Sequence, residues 1–222
     1  MLENRTEAPR TDFPPRTQAP SGSSGGAYIV SMRYDLIIAT IIPVLWVVWL
    51  AYWWYSARDV KRTTQPEPIA SKLTHRAPLI IGVLCFAAPR WMPRPLTARF
   101  VPLGLFFPTV GTLMLALGLG FAVWARRHLG RNWSAHVVVK EDHALIKTGP
   151  YRYVRHPIYT GILFAMLGMA LAIGEWRALV GFAAMVLSFR VKSRYEEARM
   201  RETFAEYGDY ERHTAALIPY LY

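Results

Sequence analysis

The residues able to do chemistry gather between positions 140 and 197. Lys140, His143, Tyr151, Arg152, Arg155, His156, Tyr159, Lys192, Arg194, Glu196 and Glu197 supply cations, hydrogen-bond donors and two adjacent carboxylates. That mix suits a zwitterionic, polar ligand. A carboxylate on the ligand pairs with Arg, His or Tyr donors. An ammonium or a set of ribose hydroxyls pairs with a carboxylate. A flat heterocycle wants apolar walls and backbone hydrogen bonds, which Ala144-Leu145-Ile146 and the Gly149-Pro150 turn can offer. Metal is a poorer fit, because His143 and His156 are too far apart for a helical pair and no HExxH or Cys/His cluster exists. No nucleophile elbow presents itself either. Cys85 is the only cysteine. It excludes an intramolecular disulfide and a CxxC redox pair and reads as a small buried hydrophobe.

The elements that must hold these groups are apolar. Of 222 residues 53% are hydrophobic, and they lie in blocks at 34–55, 77–89, 101–125, 157–174 and 178–189. A span takes roughly 20 apolar residues. The first and third blocks qualify alone, the fourth is marginal, and the second and fifth depend on packing or on their flanks. The expected fold class is all-α, a polytopic membrane helix bundle of about five transmembrane helices with a C-terminal cytosolic helix. Four spans, with 77–89 re-entrant, is the competing count. With five spans and the N-terminus outside, inner segments 56–76, 126–156 and 190–222 carry 18 of the 26 Lys and Arg. That bias accounts for the net charge of +11 by the positive-inside rule. No basic stripe with interleaved aromatics is present, so nucleic acid is not expected as a partner. The loop at 90–99, with Arg90, Arg94 and Arg99 on the outer side, is discordant.

Residues 1–30 read as a disordered tail, with Ser21 to Gly26 a flexible linker. Residues 31–125 form the N-terminal transmembrane helices. Residues 126–222 form a catalytic region with a cofactor-binding loop, a transmembrane hairpin and a cytosolic helix. Trp46, Trp49, Tyr52, Trp53, Trp54 and Tyr55 read as an interfacial aromatic belt. Gly111, Gly118 and Gly120, with Gly161, Ala165, Gly168 and Ala172, read as packing faces where helices approach closely. The connection near 174–177 is short enough to make antiparallel neighbours. It brings His156 and Arg190 to one face, beside a polar tail expected to be helical from 190 to 210. Leu217-Ile218-Pro219 returns apolar residues to dock against the bundle.

The string His143-x-Leu145-Ile146-x-x-Gly149-Pro150-Tyr151-x-x-x-Arg155-His156-Pro157-x-Tyr159-x-Gly161, followed by Glu196-Glu197, Phe204, Tyr207, Tyr210 and Leu217-Ile218-Pro219, resembles the isoprenylcysteine carboxyl methyltransferase family. The resemblance runs from about Asn132 to the C-terminus. It implies an integral membrane enzyme that uses S-adenosylmethionine without a Rossmann fold, on a lipophilic acceptor arriving from the bilayer. It assigns cofactor contacts to Lys140, His143, Ala144, Leu145, Ile146, Tyr151, His156, Pro157, Tyr159 and Glu196. Arg155, Lys192 and Glu197 take the acceptor-side or catalytic roles. Lys140 stands near a position where eukaryotic members carry Gln, and Lys192 where the family commonly has Arg. Because Lys and Arg are not interchangeable at a bidentate carboxylate site, the acceptor is free to differ from a prenylcysteine.

The implied reaction is in-line methyl transfer, driven chiefly by alignment and desolvation. A carboxylate or thiolate acceptor is already ionised and needs no strong base. A phospholipid amine would need a proton acceptor, for which Glu197 is the candidate. A sterol-type reductase would instead need a nicotinamide cofactor, and a non-catalytic scaffold no ligand at all. The expected location is a prokaryotic inner membrane, with the site on the cytoplasmic face and membrane lipids around it. The sequence leaves the oligomeric state open.

Overall fold

A backbone in hydrocarbon must satisfy its polar groups within its own segment, so long apolar blocks fold as helices. The computed structural model describes residues 23–58, 69–130 and 145–219. Over these the fold is all-α, and β pairing is limited to two isolated bridges. Helix α1, Ser23–Leu36, continues through a π-helical turn, Ile37–Ile41, into α2, Ile42–Ser56. Pro43 explains the wide turn, since it lacks an N–H and its ring would press on the carbonyl four residues back. Helix α3 spans Ile69–Ala87, and a short α4, Arg94–Thr97, lies in the next connection. The remainder are α5, Phe106–Leu129, α6, Pro157–Ile173, α7, Trp176–Thr203, and α8, Tyr207–His213. The segment Ile29–Ser56 and helix α5 are each long and apolar enough to cross a membrane, and α6 is a shorter apolar helix.

Two glycine seams bind the bundle. Gly111 meets Gly168, and Gly118 meets Gly161. Seven residues along α5 thus correspond to seven back along α6, as antiparallel neighbours require. A Cβ on Gly118 would sit 2.5 Å from the Ala165 nitrogen and the Gly161 carbonyl oxygen. The backbones therefore touch with nothing between them. The second seam joins α3 to α7. Gly82 lies against Gly181 and Met185, and Ser188 Oγ donates to the His75 carbonyl at 2.6 Å. Cys85 is buried in that seam. Helix α3 packs along α7 from His75 to Phe86, as a full member of the bundle. Gly174, left-handed at φ 70°, ends α6. It leaves only Glu175 before α7 begins.

Four expectations change. Gly120 faces open space and belongs to neither seam. The aromatic belt is only half a belt: Trp49 is buried, and Trp46 and Trp53 pack beside it. Their spacing puts them on one helical face, with Trp49 stacked on Trp53 at 4.7 Å and edge-on to Trp46 at 5.6 Å. Trp54 and Tyr55 remain exposed. Helix α1 begins at Ser23, inside the stretch read as linker and tail. Finally, the polar tail is not one helix. It breaks after Thr203, and α8 folds back, held by a two-bonded pair between Arg201 and Glu211 at 2.8 and 2.6 Å.

The seams carry a prediction. Gly118→Ala should lower the melting temperature in detergent, at a cost of about 1–3 kcal/mol from overpacking. Gly120→Ala should be neutral or stabilising by up to about 1 kcal/mol through helix propensity. Equal losses at both positions would contradict the seam.

Candidate functional site

The site is built where α6 begins. Gly149, at φ 59°, opens a short 3₁₀ turn, Gly149–Arg152, and a Cβ there would run into the His128 ring. His128 Nε2 lies 2.9 Å from Thr148 Oγ1. Tyr151 is buried against this corner, with its hydroxyl 3.5 Å from the Ala125 carbonyl. Burial pushes its phenol pKa up, so it stays protonated. Its own carbonyl accepts the Tyr210 hydroxyl at 2.6 Å, which ties the turn to α8.

The chain after α8 forms a strap against the mouth of α6. Val154 and Ala215 make a parallel bridge. The Arg155 and His156 amides donate to the Ala215 and Ala216 carbonyls at 2.9 and 3.0 Å. One helical turn on, Thr160 Oγ1 donates to the Leu217 carbonyl at 2.5 Å. The Arg155 guanidinium donates to Glu197 at 2.7 Å, to the Glu211 carbonyl at 3.0 Å and to the Thr214 carbonyl. Arg155 and Glu197 side chains are only 9% and 8% exposed. This is a buried ion pair whose arginine also donates through Nη1 to two backbone carbonyls, which helps to offset its desolvation.

His156 stands between the two carboxylates. Its Nε2 is 3.1 Å from Glu197 Oε1 and its Nδ1 is 3.4 Å from Glu196 Oε2. Glu196 also accepts the Tyr159 hydroxyl at 2.6 Å, with Lys192 Nζ 3.9 Å away. The His156, Tyr159 and Phe189 rings stack nearly parallel, at 5.4 and 4.8 Å between centroids. Burial by itself would lower the His156 pKa. The hydrogen bonds and charges of Glu196 and Glu197 more than reverse it, and the pKa is raised. Burial would likewise raise both carboxyls, but bonds from His156, with Arg155 or Lys192 and Tyr159, lower them, Glu197 to about 2. The cluster thus sets Arg155, His156 and Lys192 against Glu196 and Glu197, with Glu211 also 3.9 Å from Arg155.

His156, Tyr159, Lys192, Glu196, Arg155 and Glu197 thus come together. Pro157 is the buried first residue of α6, where a missing N–H costs nothing. Leu145 and Ile146 are half-buried on the approach to the 3₁₀ turn. Lys140, His143 and Ala144 lie outside the described residues. Sequence reasoning missed Thr160, Glu211 and the strap carbonyls. Thr160 had a signal, being four residues after His156 on the same helical face. The backbone acceptors had none.

Beside the cluster, α6 and α7 enclose an apolar groove of about 510 Å³. Leu163, Phe164 and Leu167 line one wall, Phe182 and Val186 the other, and the strap at 217–219 a third. Thr160 and Arg190 bring polarity to it. Among the described residues no group of His, Cys, Asp or Glu is arranged to hold a metal.

Residues 106–207 match the phospholipid methyltransferase family. The cobalt-zinc-cadmium resistance protein CzcN of Cupriavidus metallidurans is 32% identical over 50% of this chain and 52% of its own length. The protein-S-isoprenylcysteine O-methyltransferase of Saccharomyces cerevisiae is 33% identical over 50% of this chain and 48% of its own. The chain spans about half the length of these curated relatives. A solved structure of the eukaryotic intramembrane Ras methyltransferase, isoprenylcysteine carboxyl methyltransferase, aligns with 68% of this chain and 51% of that one, at 21% identity and a TM-score of 0.47.

The cluster sets a stability profile. A raised His156 contributes fully below its ordinary 6.5 and is lost as pH climbs through its folded value. Lowered Glu196 and Glu197 contribute fully above 4.5 and are lost as pH falls. The melting temperature should therefore plateau between these values and decline on both sides, and His156→Gln should flatten the alkaline decline. Arg155→Met should cost about 3–5 kcal/mol by stranding Glu197, read from the same melting curves.

Proposed function

We propose that this chain, whose residues 106–207 match the phospholipid methyltransferase family and half of which is similar to a protein-S-isoprenylcysteine O-methyltransferase, transfers methyl groups from S-adenosylmethionine to a lipophilic, already ionised acceptor in the membrane. The observation that carries the reading is the hydrogen-bonded arrangement of the cluster at 155–159 and 192–197.

The donor set fits the cofactor's zwitterionic end. Glu196, oriented by Tyr159 at 2.6 Å and His156 at 3.4 Å, supplies a carboxylate suited to an ammonium. His156 and Lys192 suit a carboxylate. Leu145 and Ile146 suit the purine, and the resemblance assigns Lys140, His143 and Ala144 to cofactor contact as well. Tyr151 and Pro157 shape the corner from behind. When bound, the cofactor supplies an electrophilic methyl group on a sulfonium. Arg155 and Glu197 act as positioning residues, holding His156 and the strap in register.

The same cluster favours an anionic acceptor. Each proton-accepting group is engaged: Glu197 by Arg155 and His156, Glu196 by Tyr159 and His156. Carboxyls whose pKa values are lowered by these bonds are poor bases for an ammonium. Arg155, His156 and Lys192 give this corner cationic and hydrogen-bond-donating groups that suit a carboxylate or thiolate better than an amine. Methyl transfer to a carboxylate requires no proton acceptor, only alignment and exclusion of water. The bias of Lys and Arg toward one side supports a site on the cytoplasmic face of the membrane.

Calorimetric titration of S-adenosylhomocysteine into the detergent-solubilised full chain tests the cofactor. Binding is expected, with Glu196→Gln weakening it tenfold or more. Silence at millimolar ligand, or binding of NADPH instead, would sink the reading. Labelled methyl donor with N-acetyl-S-farnesylcysteine and with phosphatidylethanolamine tests the acceptor. Label entering the amine lipid alone would overturn the anionic assignment.

A further inference from the structure

The strap at 214–219 is one wall of two different sites. Its carbonyls at Ala215 and Ala216 receive the Arg155 and His156 amides, so it sets the peptide that carries the ionic cluster. Its side chains at 217–219 close the apolar groove between α6 and α7. Thr160 is the joint. Its hydroxyl lies 2.5 Å from the Leu217 carbonyl and 3.1 Å from the His156 carbonyl, and it lines the groove itself. The strap is uneven in how it is held. Thr214, Ala215, Ala216 and Leu217 are buried, whereas Ile218 is 57% exposed beside the groove.

Building on the proposed function, we propose that Thr160 is a positioning residue that couples the groove to the ionic cluster: a hydrocarbon chain seated in the groove fastens the strap and thereby tightens the cofactor site. The occupant is the single chain of the acceptor, with its anionic end toward Arg190. Three features select it. The walls are aliphatic and aromatic, and the volume of about 510 Å³ suits one drug-sized chain. Arg190, exposed in that groove, has no acidic partner among the described residues. A chain there covers Leu217, Ile218 and Pro219, so it favours the fastened strap over a loosened one. Only that differential contact can shift the equilibrium. Whatever fastens the strap also fixes the amides of Arg155 and His156. Chain and cofactor must then strengthen each other by the same factor.

The test uses the full chain in detergent, with S-adenosylhomocysteine titrated in the presence and absence of N-acetyl-S-farnesylcysteine. The chain analogue is expected to tighten cofactor binding about tenfold. Thr160→Val removes the hydroxyl at nearly constant volume and should reduce that factor to near one, while Thr160→Ser restores it. An equal factor in wild type and Thr160→Val, or none in wild type, would overturn the coupling. Amide exchange gives an independent readout. The analogue alone should slow exchange at Leu217 and Ile218 in wild type and not in Thr160→Val. If S-adenosylhomocysteine fails to bind at all, the proposed function falls, and this exchange result still decides whether groove and strap are linked. Unchanged exchange in wild type would refute that link.

Discussion

Helix C-termini leave carbonyl groups without partners, and in an apolar bundle no water stands ready to satisfy them. Buried or half-buried arginines meet that need at both ends of this molecule. Arg126 donates to the last carbonyl of α2, at Ser56, and to Gly130 beyond α5, at 2.6 and 2.7 Å. Arg177 donates to Cys85 and Phe86 at the end of α3, and Arg99 to Ile173 at the end of α6. Arg155 does the same for α8 through Glu211 and Thr214. Each guanidinium offers several donors in a fixed fork and places a positive charge where the helix dipole is negative. The discordant outer charge at Arg99 is thus part of the fold.

The site depends on α6, the helix held most closely. One side is locked to α5 by glycine seams with no room for a methyl group. Its last carbonyl is held by Arg99. Its mouth is held by the strap and by the Glu196-Glu197 pair of α7. The adjacent glutamates divide the labour because neighbours on a helix point about 100° apart. Glu197 faces the scaffold with Arg155, and Glu196 faces Tyr159 and Lys192. His156 spans the two, so the fixed half of the cluster orients the half available to a ligand.

Much of this was legible in the sequence. Small residues three and four apart announced the α5–α6 seam, and the short link at 174–177 required an antiparallel hairpin. The Arg-His-Pro-x-Tyr string and the Glu-Glu pair lie forty residues apart, and that hairpin joins them. Other parts were hidden for physical reasons. The aromatic run at 46–55 has the same composition whether it faces lipid or core, and only the position of α5 shows that Trp49 is buried. The break after Thr203 lacks a Pro or Gly signal and follows from the Arg201–Glu211 pair and buried Tyr207 and Tyr210. Backbone acceptors such as Ala215 and Ala216 have no side-chain signature.

The strap also sets a timetable. Synthesis runs from the N-terminus, so the α5–α6 seam can assemble before residue 214 exists. Arg155 and His156 must then wait for their backbone acceptors until residues 215 and 216 are made, and Thr160 until Leu217 is made. During that interval the cations at the α6 mouth are better placed in the aqueous interface than in the bundle. The cluster is therefore completed only after the helices that carry it have been made.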